Sequence, residues 1–102
     1  MRRNIGYATA SIFRSLAGGS RFGLDVMRDT GLASGTVYPT LTRAEAGGLV
    51  RGRWEPKTMA AAEARPRRRY YELTPAGEKA LKEALVRFGQ LAGVPVRPRS
   101  RS

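Results

Sequence analysis

Apolar residues along this chain recur first at helical and then at strand spacing. From Asn4 to Ala17, the positions Ile5, Ala8, Ile12, Phe13 and Leu16 repeat with a period near 3.6 and predict an amphipathic first helix, stopped by Gly18-Gly19-Ser20. Phe22, Val26 and Met27 mark the inner face of a short second helix, with Asp25 and Arg28 outward at a spacing that permits a surface pair. After Thr30-Gly31, a third helix is expected over 34–47, with Ser34 as its N-cap and Gly47-Gly48 as its stop. On that helix Val37, Leu41 and Ala44 fall to one side, while Gly35, Pro39, Thr42 and Ala46 fall opposite, with Thr36 and Arg43 beside them. The outer face is small. A helix without bulky outward side chains can sit deep in a groove about 12 Å wide, the width of the major groove of DNA.

Only a few residues separate the second and third helices, so the two are expected to meet at a large angle as a helix-turn-helix. Leu49, Val50 and Trp54 lead into a first strand, and Arg67 to Leu73 form a second, with Tyr71 and Leu73 on one face and Arg68, Tyr70 and Glu72 on the other. The predicted fold is mainly α with a two-stranded β-hairpin: a winged helix-turn-helix over residues 1–73. The loop from Pro56 to Pro66 is long for a hairpin and points to a functional wing. Arg51 and Arg53 precede it, and Arg65, Arg67, Arg68 and Arg69 crowd its far end, where they are expected beside phosphates or in a minor groove. Trp54 is expected to pack at the root of the wing.

Thr74-Pro75 starts a further helix, with threonine at the N-cap and proline in the first turn. Leu81, Leu85, Phe88 and Ala92 step by 4, 3 and 4 residues, the spacing of a coiled-coil seam. With Leu91 they are expected to make residues 74–92 a dimerisation helix of a symmetric homodimer. Packing against its own domain is the competing reading, because Ala76, Ala80 and Ala84 also fit an inward face. Residues 93–102, rich in proline and arginine, are expected to be a disordered basic tail able to add phosphate contacts, as are Arg2 and Arg3 at the other terminus.

Composition narrows the chemistry. The 102 residues suffice for one compact domain with tails, and 19 Lys+Arg against 8 Asp+Glu leave a formal charge of +11. That balance favours a polyanionic partner without distinguishing DNA from RNA, anionic lipid or acidic protein. Cysteine and histidine are both absent, which excludes disulfides, thiolate metal sites and the commonest general base. No cofactor is expected and no enzymatic activity, since the eight carboxylates form no recognisable pair. No apolar run reaches the roughly 18 residues of a membrane span, so a cytoplasmic, nucleoid-associated protein is expected.

Four blocks in order carry a family resemblance: Phe22-Gly23-Leu24-Asp25-Val26, then Ser34-Gly35-Thr36-Val37-Tyr38-Pro39-Thr40-Leu41, then Gly48-Leu49-Val50, and finally Arg68-Arg69-Tyr70-Tyr71-Glu72-Leu73-Thr74-Pro75-Ala76-Gly77. Together they resemble the PadR-like winged-helix transcriptional regulators, over roughly Ser11 to Leu85. The resemblance implies a dimeric DNA-binding protein, usually a repressor, that recognises an inverted repeat in promoter DNA. It further implies that the helix around Thr36 to Arg43 enters the major groove, that Tyr38 lies near the backbone and that the wing flanks them. With one helix after Thr74, the chain looks like the short subgroup. Some short members bind flat drugs between tryptophans of the dimer helices, whereas the one tryptophan here stands on the hairpin, so no small-molecule effector is assigned.

The expected partner is therefore double-stranded DNA, contacted by Ser34, Gly35, Thr36, Tyr38, Thr42 and Arg43 on the helix and by the six wing arginines. Thr36, Thr42 and Arg43 are placed for base edges, and Ser34 and Tyr38 for phosphates. Two other roles stay open at this point. One is a DNA-architectural or recombination accessory protein of a phage or mobile element, and the other is a regulator that acts by binding another protein.

Overall fold

Ile12 and Phe13 of the first helix, Val26 of the second, and Val37 and Leu41 of the third are all sealed from solvent, so the three helical patterns converge on one core. In the computed structural model, residues 4–89 are described. They form α1 (Tyr7–Ala17), α2 (Gly23–Thr30), α3 (Ser34–Ala46), β1 (Val50–Trp54), α4 (Lys57–Ala62), β2 (Arg69–Leu73) and α5 (Pro75–Phe88). This is the expected winged helix, with differences of detail that have local causes.

Three residues fewer than expected belong to α1. Gly6 is extended and sets the start at Tyr7, yet Ile5 is still buried and its carbonyl accepts from Arg87 of α5. At its other end α1 is tied to α2, because Ser15 Oγ and Ser20 Oγ both donate to Asp29 Oδ2, at 2.9 and 2.7 Å. Gly31 stops α2 at φ 75°, a left-handed backbone that suits glycine, and its N–H donates to the Met27 carbonyl. Residues 31–33 then turn the chain into α3. The N-cap of α3 is Ala33, with no side-chain cap, and Ser34 is the first helical residue rather than the cap.

The hairpin is antiparallel, with Val50 opposite Leu73, Gly52 opposite Tyr71 and Trp54 opposite Arg69. Its base, Val50 and Tyr71, lies in the core, while its far end runs beyond it. The second strand begins at Arg69 rather than Arg67, although Glu55 N–H donates to the Arg68 carbonyl at 2.8 Å and prolongs the pairing by one bond. The expected irregular loop contains α4, which the alanine run 60–62 favours by propensity and which Ala60 anchors by burial.

Thr74 caps α5 as its sequence suggested, accepting from the Gly77 N–H at 3.1 Å, with Pro75 at the first helical position. One residue of the expected seam on α5 lies in the core of its own chain. Leu81 is 6% exposed, and Ala80 and Ala84 are buried beside it in the same core, with Leu85 packed against them. Leu81 thus has a place in the core of its own subunit, and Leu85 lies partly buried at the edge of that core. Phe88, 37% exposed, meets Tyr7 edge to face at 5.5 Å, and Val86 stands in solvent. Leu91, Ala92, the tail 93–102, Arg2 and Arg3 lie outside the described residues.

Candidate nucleic-acid interface

The two sides of α3 are as unlike as its sequence demands. Val37, Thr40, Leu41 and Ala44 are buried, whereas Ser34, Gly35, Thr36, Tyr38, Pro39, Thr42, Arg43 and Ala46 are exposed. Nothing approaches the place where a side chain on Gly35 would project, so the fold does not require glycine there. The first-turn N–H groups of Thr36 and Val37 are both satisfied by the Ala33 carbonyl, leaving those of Ser34 and Gly35 directed out of the helix start. Tyr38 is positioned by α2, since its ring lies where a side chain on Gly23 would be. Arg43 is exposed but lies back along its own helix, with Nη2 3.3 Å from Thr40 Oγ1, beside a cleft bordered by Asn4, Ile5 and Gly6.

The wing arginines, alike in sequence, divide by partner. Arg65 is the anchor of the wing. Its guanidinium donates to both oxygens of Glu55, reaching Oε2 at 3.0 Å, and to Glu63 at 2.8 Å. Glu55 is fully buried and also accepts from the Arg68 backbone N–H at 2.9 Å. The hydrogen bond from Arg65 holds the Glu55 carboxyl down to about 2, with the Arg68 N–H adding to it and burial opposing it. The same contacts push Arg65 further into its charged range.

Arg69 is likewise committed, with Nη2 2.6 Å from Glu45 Oε2 of α3. That ion pair passes over Gly52, where any side chain would collide with both partners. Arg51 and Arg53 share Glu72, at 3.0 and 3.6 Å, on the face of the hairpin turned away from Gly52 and Glu45. Only Arg67 and Arg68 of the six place their guanidinium in no ion pair among the described residues. Arg67 Nε donates to the Glu55 carbonyl, and the Arg68 guanidinium lies 4.8 Å from the Phe22 ring centre. Both are exposed.

Sequence reasoning missed Glu45, Glu55 and Gly52, which hold the wing and join it to α3. It also misplaced Trp54. Rather than packing at the root of the wing, the indole is 56% exposed, with the guanidiniums of Arg67 and Arg69 at 5.7 and 5.2 Å from its centre. The strand outruns the core, so the face that is buried at Val50 is in solvent four residues later.

Among the described residues, no group of three or more carboxylates could hold a metal ion, and no helix is long and apolar enough to cross a membrane. Asp25, Glu45, Glu55, Glu63 and Glu72 are each engaged by arginine. The surface is thus one small-sided helix beside a braced, cationic hairpin.

Several solved structures of similar arrangement are regulators of one family. A PadR family transcription regulator from Clostridium difficile R20291 superposes with a TM-score of 0.66 at 27% identity, over 81% of this chain and 90% of that one. A PadR-like transcription factor from Bacteroides fragilis gives 0.61 at 26% identity, over 78% of each chain. A PadR family regulator from Eggerthella lenta DSM 2243 shares the fold, with a TM-score of 0.64 at 20% identity over 78% of this chain and 70% of that one. No curated protein gives a significant sequence match. The model of the PadR-like family of transcriptional regulators matches residues 12–83, from the middle of α1 well into α5, and the chain belongs to that family.

Proposed function

We propose that the chain is a homodimeric, sequence-specific DNA-binding repressor that presents α3 to the major groove and its wing to the flanking backbone. The observation that carries this reading is the outward face of α3. Its side chains are small at Gly35, Thr36, Pro39 and Thr42, while the opposite face is locked into the core by Val37 and Leu41. Gly35 supports close approach to DNA, because its missing side chain serves no packing need inside the subunit. Thr36, Thr42 and Arg43 are assigned to base edges, Arg43 after swinging off Thr40 to bridge guanine O6 and N7. Ser34 and Tyr38, with the outward N–H groups of the first turn, are assigned to phosphates.

On the wing, Arg67 and Arg68 are the principal phosphate ligands. Arg51 and Arg53, partly neutralised by Glu72, are secondary, and Arg65 is left to the fold. The second copy is assigned to the surface carrying Val86 and the Tyr7–Phe88 pair, where apolar side chains at the ends of α5 and α1 reach solvent. Two subunits related by a two-fold axis require a site with the same symmetry, with half-sites about one helical turn, 34 to 36 Å, apart. Such a dimer acts on transcription most simply by occupying promoter DNA.

Selection of bound duplexes from a random-sequence pool tests the reading. The expected product is an enriched inverted repeat with one-turn spacing. A pool that shows no enrichment, or enrichment of an asymmetric single site, overturns the reading.

A further inference from the structure

The most exposed aromatic on the wing is also the one most deliberately held. Trp54 lies opposite Arg69 at the far end of the hairpin, outside the core cluster, with more than half of its surface in solvent. Two guanidiniums at its ring are each fixed by a bond of their own, Arg69 to the Glu45 carboxylate and Arg67 to the Glu55 carbonyl. Strand alternation puts Trp54 on the same face as Gly52, the face over which the Glu45–Arg69 pair reaches α3. The indole is therefore pre-positioned beside the C-terminal half of the helix.

We propose that Trp54 is a direct DNA contact: its indole, with the Arg67 and Arg69 guanidiniums, forms an aromatic-cationic plate that packs on a deoxyribose and its phosphates beside the groove occupied by α3. The inference rests on the DNA-binding reading above and adds to it a residue and its chemistry. A wing lying against an intact duplex meets sugar C–H groups and phosphate oxygens rather than open base faces. A flat apolar ring edged by guanidinium N–H groups matches that pair of surfaces in shape and charge. The contact carries no base information, so it serves cognate and non-cognate duplex alike.

The chain contains one tryptophan, so emission excited at the long-wavelength edge of the indole band, where tyrosine does not absorb, reports on this residue alone. The 102-residue chain is titrated at low salt with a mixed-sequence duplex that carries a label at one end. Label anisotropy measures binding, and acrylamide quenching, uncharged and so indifferent to the arginines, measures access to the indole. Binding accompanied by a change in emission and a fall in quenching supports the contact. Trp54→Ala should weaken both cognate and mixed-sequence binding by about tenfold, and Trp54→Phe should restore most of it, with hairpin integrity checked by thermal melting. Binding of the duplex with emission and quenching unchanged overturns the contact and leaves the regulator reading standing. Protection of the indole by a single-stranded oligonucleotide but not by the duplex also overturns it. Failure of any duplex to bind at low salt refutes the DNA-binding reading itself, and this inference with it.

Discussion

The helix α3 and the wing stand side by side on one surface but are held in place by different physics. Burial orients α3: Val37 and Leu41 are fully enclosed, and its outer face carries little charge. The wing has little core beneath its far end and is braced by Glu55–Arg65, by Glu45–Arg69 and by backbone bonds around Arg68. Hydrophobic burial is almost indifferent to salt and mild acid, whereas ion pairs respond to both. In the proposed interface, α3 should therefore be the constant part and the wing the adjustable part.

The largest test of that contrast is Leu41→Ala. Removing a fully enclosed side chain beneath α3 should destabilise the whole domain by about 2–5 kcal/mol, read as a lower urea midpoint at any pH. A loss confined to DNA binding, with the midpoint unchanged, would break the claim that α3 is held by the core.

Acid should act first on the wing. The Glu55 carboxyl titrates near 2 in the folded chain against 4.5 as its ordinary value, so above about 4.5 it is ionised folded or unfolded and its pairing contributes in full. As pH falls from 4.5 towards about 2, the unfolded chain takes up the proton first and that contribution is lost. The urea midpoint should decline across this window, and Glu55→Gln should flatten the part of the decline due to this residue. An identical acid limb in the variant would remove Glu55 as the anchor.

Smaller effects sharpen the division between specificity and grip. Arg43→Ala should lose roughly 1–3 kcal/mol of discrimination at one base step, with non-cognate binding little changed. Arg68→Ala should weaken binding to all sequences and reduce the salt slope by about one unit. Competition titrations on cognate and scrambled duplexes over a salt series separate the two. Equal behaviour of the variants would mean that helix and wing do not divide the work.

The smallest effect is the most diagnostic. With open space at Gly35, Gly35→Ala should stabilise the free protein by about 0.5 kcal/mol, the low end for relief of a helical glycine. The same change should weaken DNA binding, because the added methyl stands on the face proposed to approach the groove. Thermal melting and duplex binding should thus move in opposite directions, and a variant that binds as well as the parent would detach Gly35 from the interface.

Much of the fold was legible in the chain because its determinants are local. The 3.6-residue apolar repeats place α1 to α3, alternation places the hairpin, Thr74-Pro75 marks the start of α5, and the small outward face of α3 follows from letters within one helix. The small helix α4 escaped notice because six residues are too few to show a period. Leu81 and Leu85 fit the spacing of a seam, yet periodicity identifies an apolar face without saying what covers it, and Leu81 also belongs to the core of its own subunit.

What the sequence determined by itself was the four longer helices and the hairpin, the excess of positive charge and the choice of α3 as the slim helix. The tertiary structure decided which arginines are held by carboxylates, since Glu55 finds Arg65 across ten positions and Glu45 finds Arg69 across twenty-four. It also decided that Trp54 faces solvent, because a strand keeps its alternation after the core beneath it has ended. Periodicity is a property of neighbours along the chain, whereas charge pairing and exposure belong to neighbours in space, and only folding brings those together.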